Sequence, residues 1–242
     1  MTWGSFGTVH FLSLAFAAAL LVGLYFLVKH LPARAADILF IVLSFSGIAA
    51  ILFNLLMWDS PLEYLPLHLC SLNALILPVA VITKSERLGN ILLLWSLGAL
   101  FALVANFAMA ETPLLSWTFV FYYFPHVLEF GIPLLFLKLG KWKVSAKHIP
   151  LTITVTMVVY TLIHLVNVFL NGYAEANGLL NSAGELLQVN YMFSVTPENP
   201  LLALFWSVIP HPYWYMFLAV PVIALYLALL CGVAHLVRRK SK

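Results

Sequence analysis

Apolar residues run through this chain in blocks long enough to cross a bilayer, and most charged residues fall between the blocks or at their ends. A span needs about 20 predominantly apolar residues. Seven blocks qualify: 8–30, 34–58, 64–83, 88–109, 117–138, 149–171 and 213–237. Asp59-Ser60-Pro61 supplies a turn and a helix-start signal before the third. Pro125 and Pro133 inside the fifth predict a kinked or locally unwound helix. The long connection, 172–212, opens with turn signals (Asn171-Gly172, Asn177-Gly178). Its second half, Asn199 to Ile209, is apolar but too short to span. That half predicts a helix lying in the interface or dipping back as a lid. The expected architecture is an all-α polytopic membrane protein, one seven-helix transmembrane domain over residues 1–242.

Composition agrees with the pattern. Of 242 residues, 63% are hydrophobic and only 9% charged, against about a quarter charged in soluble domains. The first block lacks a basic n-region and a cleavage motif, so it reads as a retained span. Seven crossings put all twelve lysines and arginines on one side, in the first, third and fifth connections and the C-terminal tail. Positive-inside statistics then place the N-terminus outside and the C-terminus in the cytoplasm, in a cell membrane. No nucleotide loop or CxxC pair occurs, so no cofactor is expected, and no basic face points to nucleic acid. The expected partners are membrane lipids. Cys70 and Cys231 fall near opposite faces, which argues against a disulfide between them.

Polar side chains inside the blocks gather at one depth. Counting about 1.5 Å per residue, His68, Cys70 and Asn73 sit in the outer part of the third block. Asn54 and Asn106 lie about one turn inside the outer ends of the second and fourth. His126 and Glu129 occupy the outer third to middle of the fifth. His164 and Asn167 approach the outer surface in the sixth. The inner half is nearly all aliphatic, which predicts an outward-facing polar cavity closed below. Helical spacing aligns Cys70 with Asn73, His126 with Glu129, and His164 with Asn167 and Asn171. His68 and Cys70, two apart, diverge by about 200°. A base for Cys70 therefore comes more naturally from His126 or His164.

Hydrocarbon gives such groups no water, so each needs a protein partner or an aqueous cavity. A lone cysteine in a helix usually packs as a small hydrophobe, a lone histidine bonds between helices, and asparagines are interhelical glue. What raises Cys70 is the company of three histidines and a carboxylate, because a thiol becomes nucleophilic beside a base. Asn73 or Asn106 could then donate to an oxyanion, with Glu129 orienting a histidine or staying protonated. His68, His126, His164 and Glu129 also make a His/carboxylate set of the kind zinc favours, though no HxxxH pair exists and no metal is expected. A retinal protein is excluded, because the last span has no lysine for a Schiff base.

Three short motifs carry a resemblance. Leu67-His68-Leu69-Cys70, Phe124-Pro125-His126 and Asn190-Tyr191-Met192-Phe193 resemble the YwaF-like integral membrane proteins of bacteria. That family is similar to a vertebrate multi-pass protein regarded as an ether-phospholipid acyltransferase with a helix cysteine as proposed nucleophile. The resemblance implies Cys70 as nucleophile and His126 as a histidine of the same site. It also implies that Asn190-Tyr191 belongs to a segment capping that site. After Phe193, Ser194-Val195-Thr196-Pro197 departs from the family pattern. The combined expectation is a membrane-embedded lipid acyltransferase or transacylase acting on a phospholipid. Cys70, His126, His164 and Glu129 would be catalytic, with His68, Asn73, Asn106, Asn167, Asn190 and Tyr191 around the substrate. The alternative is a non-catalytic seven-helix binding or transport protein holding a small polar ligand or cation in the same cavity.

Overall fold

A computed structural model describes residues 1–58, 60–105 and 109–240, the side chains of 237–240 excepted. The chain is all-α: α1 (Thr8–His30), α2 (Ala33–Ser44), α3 (Ser46–Met57), α4 (Leu69–Thr83), α5 (Glu86–Ala105), α6 (Trp117–Lys138), α7 (Ile149–Asn177), α8 (Pro200–Val208) and α9 (Ala219–Lys240). Among the described residues, six helices are long and apolar enough to cross a membrane, counting α2 and α3 as one.

Several boundaries differ from the hydrophobic pattern. α7 runs through the Asn171-Gly172 turn signal to Asn177 instead of ending at 171, and the last helix starts at Ala219 after a 3-10 turn at Trp214–Leu218. The third block is shorter than expected: α4 has only 15 residues and begins at Leu69 rather than 64. Pro66 cannot donate a helical hydrogen bond and steers Leu65 away from the α region. The approach instead forms a 3-10 turn at Pro61–Glu63, with Tyr64 stacked on Trp58. The second block is interrupted at Phe45, whose N–H reaches back to the Val42 carbonyl at 3.2 Å. Of the kink or local unwinding expected in the fifth block, the unwinding does not occur. α6 runs continuously from Trp117 to Lys138 across Pro125 and Pro133.

Capping chemistry sets other ends. Ser116 accepts from Phe119 N at 3.1 Å to start α6, and Asn199 accepts from Leu202 N at 3.0 Å to start α8 with Pro200 in its first turn. α8 falls where the short apolar segment of the outer connection predicted a helix. Gly178, at φ 59°, closes α7 in the left-handed conformation glycine adopts without strain.

The chain forms two compact units. The first, Met1–Phe53 with Leu69–Lys143, has α5 and α6 at its centre. Phe40, Leu77, Leu92, Ile132, Phe136 and Trp142 pack one core cluster. Trp3, Phe119, Tyr123 and Val127 pack another. The N-terminal residues join this unit in a way the sequence pattern did not suggest. Trp3 N donates to Thr112 O at 3.0 Å, and Leu114 N to Met1 O at 2.9 Å. The buried His10 bridges Phe6 N and the Leu103 carbonyl. At the other end of this unit, Asp37 at the start of α2 bonds both Lys84 and Lys141, each at 2.6 Å.

The second unit, Asn54–His68 with Val144–Lys242, pairs α7 with α9 and seats the turn at Tyr191–Phe193 on α7. Val222, Leu225, Leu229, Val233 and Leu236 form an exposed stripe at helical spacing on α9. A stripe of that size suits lipid rather than water.

Candidate active site

Cys70 occupies the first turn of α4. Helix starts leave N–H groups without intrahelical acceptors, and the dipole there favours negative charge. α5 packs against this turn at Gly98, where a Cβ would make ordinary van der Waals contact with Cys70 N at 3.4 Å and Leu69 Cβ at 3.5 Å. Ser71 follows Cys70 in the same turn.

α6 supplies the other groups of this unit. Tyr122, His126 and Glu129 follow helical spacing, and the Tyr122 and His126 rings lie 4.3 Å apart. His126 Nδ1 donates to the Tyr122 carbonyl at 2.6 Å. A carbonyl can only accept, so Nδ1 carries the proton and Nε2 keeps its lone pair. Tyr122 Oη donates to Ala102 O at 3.2 Å. Cys70, Tyr122 and Glu129 are within electrostatic reach of one another. Asn73, wholly buried, donates from Nδ2 to the main-chain carbonyl of Glu129 at 3.1 Å. Glu129 is 3% exposed, and its Oε2 has no hydrogen-bond partner.

The remaining candidates belong to the second unit, where they organise the outer connection. Asn171 clamps Val189, accepting from its N–H at 2.7 Å and donating to its carbonyl at 3.0 Å. Asn167 treats Tyr191 likewise, at 3.0 and 2.8 Å, and also donates to Ser194 Oγ at 2.8 Å. His164 Nδ1 bonds the same Ser194 hydroxyl at 3.0 Å. The match is geometric. Four residues of helix rise about 6 Å, close to two residues of extended chain, so the pair imitates a neighbouring strand. Asn190 closes its own turn, accepting from Val195 N at 2.9 Å and donating to Glu198 at 2.7 Å. Tyr191 Oη donates to the Leu62 carbonyl. Burial pushes that phenol up to about 12, so it stays a protonated donor at neutral pH. His68 lies ahead of α4, its ring 5.4 Å from that of Tyr191 and 5.5 Å from that of Phe193.

The structure thus groups Cys70, Asn73, His126 and Glu129 in one unit, and His68, His164, Asn167, Asn190 and Tyr191 in the other. Neither His126 nor His164 directs its Nδ1 at Glu129. Asn106 lies outside the described residues. Tyr122 and Gly98 were not singled out from the sequence. The i, i+4 spacing of Tyr122 and His126 could have found the first, but nothing local marks the second. The second unit also carries an apolar cleft of about 510 Å³ against α7, lined by Met157, Thr161, Tyr213 and Phe217 among others. None of the sequence-nominated residues lines it. Among the described residues, no three His, Cys, Asp or Glu side chains are placed to hold a metal.

A sequence profile of the TMEM164 family matches residues 5–230, nearly the whole chain. The chain belongs to the TMEM164 family. It is accordingly a multi-pass membrane protein, in keeping with its apolar helices. No curated protein and no solved structure matches it. Three of the groups nominated for chemistry in this TMEM164-family chain, Cys70, His126 and Glu129, lie inside the matched span and within one compact unit.

Proposed function

We propose that this TMEM164-family protein is a membrane-embedded lipid acyltransferase or transacylase with Cys70 as nucleophile. The observation that carries the reading is Cys70 in the first turn of α4, packed against α5 at Gly98, in the unit that holds His126, whose Nδ1 donates to the Tyr122 carbonyl. The YwaF-like motifs around Cys70 and His126 belong to the same reading. Nε2 of His126 takes the thiol proton, and the thiolate attacks the ester carbonyl of an acyl donor. A carbon–sulfur bond forms, the ester carbon–oxygen bond breaks, and the leaving alkoxide takes the proton from the imidazolium. A lipid hydroxyl or water then attacks the thioester, passing its proton to His126. The acyl group leaves on oxygen, and the thiolate is restored. N–H groups of the first turn of α4 are suited to the oxyanion. Asn167, Asn190 and Tyr191 order the outer connection within the second unit, where His68 packs on Tyr191.

With seven crossings and the N-terminus outside, the donor is a phospholipid of the outer leaflet rather than cytosolic acyl-CoA. The test uses purified protein in vesicles with a labelled phospholipid donor and a lysophospholipid acceptor. Transfer should fall to background in Cys70→Ala, and by about 10²–10⁴-fold in His126→Ala. The wild type should accumulate an acyl mass on the peptide bearing Cys70. Full transfer by Cys70→Ala would overturn the reading.

A further inference from the structure

Glu129 takes no part in the proton path above, and its surroundings point elsewhere. α3, α4 and α6 meet around its carboxylate. A Cβ at Gly47 would overlap both Glu129 Oε1 and the Cβ of Ala74, so glycine is what lets the three helices close there. Three buried oxygens of residues at this crossing have no hydrogen-bond partner: Ser46 Oγ, Asn73 Oδ1 and Glu129 Oε2. Asn73 is wholly buried, and its Nδ2 is held by the Glu129 main chain, so its remaining polar atom is an acceptor. Among the described residues, the Lys and Arg ion pairs are those of Asp37, and none reaches Glu129. Buried acceptors without donors are costly, and a buried carboxylate more so.

We infer that Ser46, Asn73 and Glu129 form a binding site for a single alkali cation of the sodium class. One carboxylate balances one positive charge, whereas a divalent ion would leave an uncompensated charge in a poor dielectric. The donors are all hard oxygens, the set that suits alkali and alkaline-earth ions rather than zinc or copper. A proton on the carboxyl would instead make Glu129 a donor toward an acceptor such as Asn73 Oδ1, the state that the sodium test below distinguishes. The site rests on different atoms from the acyl-transfer reading and stands or falls separately.

The test follows thermal unfolding of the full-length protein in detergent at fixed pH and ionic strength, replacing choline chloride by sodium chloride. The midpoint should rise saturably with sodium, rise less with potassium, and not respond to choline. Glu129→Gln should abolish the sodium response, and Ser46→Ala should raise the half-saturating concentration severalfold. If the Gln variant does not fold, sodium-23 line broadening decides: the wild type should broaden the signal, and Ser46→Ala should do so less. A wild-type midpoint that is the same in sodium and choline, or that follows only pH, would mean a proton-bearing carboxyl and would overturn the site. So would a full sodium response in Glu129→Gln.

Discussion

Asn167 shows how much one side chain can organise. It satisfies both main-chain groups of Tyr191 and the Ser194 hydroxyl from a fully buried position. Truncation to alanine leaves those groups buried without partners, and each such group costs about 1–3 kcal/mol. Asn167→Ala should therefore destabilise the protein by about 2–4 kcal/mol. Amide exchange at Tyr191 should quicken far more than exchange in α5, as hydrogen-exchange mass spectrometry would record. Asn167→Asp separates the halves of the clamp, since a carboxylate still accepts from the Tyr191 N–H but cannot donate to its carbonyl. Its cost should be at least that of alanine, because it also buries a carboxylate oxygen against the Tyr191 carbonyl, and a neutral effect of both variants would refute the clamp. The sequence made the shared face of His164, Asn167 and Asn171 legible, because 3.6-residue periodicity fixes it. The partner of that face was not. Val189 to Ser194 carry no strand pattern, since side-chain amides rather than another strand complete their hydrogen bonds. His10 was illegible for a related reason: its acceptor, Leu103 O, lies 93 residues away.

At the scale of elements, hydropathy located the membrane helices but not where they start or how closely they pack. The start of α4 is set by Pro66, which an apolar window passes over, and the break at Phe45 leaves no trace in hydropathy. Close approach is set by glycines whose neighbours are distant in sequence. Gly47 and Gly131 both admit a neighbour where a Cβ would collide, but the neighbours differ. At Gly131 the obstacle is the end of the Leu21 side chain, which can change rotamer. At Gly47 it is a buried carboxylate and the Cβ of Ala74, which moves only with its helix. Gly47→Ala should therefore cost about 1–3 kcal/mol, the usual range for overpacking, and Gly131→Ala clearly less. Thermal unfolding of the two variants side by side checks this. Equal midpoints would show that α3, α4 and α6 yield as readily as a leucine side chain.

At the scale of the molecule, the open issue is whether α4 crosses the membrane, because its 15 residues extend about 22 Å against a hydrocarbon core of about 30 Å. The Asp37 clamp supports the proposal that it does. Asp37 stands at the start of α2, Lys84 just beyond the end of α4, and Lys141 just beyond α6. Both bridges measure 2.6 Å, so these three points share one level. The chain leaves that level along α2 and α3 and returns to it at Lys84, as the proposed crossing by α4 would have it. Mismatch of this size is met by local thinning of the bilayer or by flanking residues, at modest cost. The proposed seven-crossing topology, with its lysines and arginines on a cytoplasmic side, makes a labelling prediction. In a Cys70→Ser, Cys231→Ser background, single cysteines at Ser85 and Lys147 should be shielded from an impermeant maleimide in intact cells. A cysteine at Ser182 should label. Inverted labelling at all three positions would reverse the orientation and keep the crossing. Labelling of Ser85→Cys alongside Ser182→Cys, with Lys147→Cys shielded, would show that α4 does not cross and would reduce the spans to six.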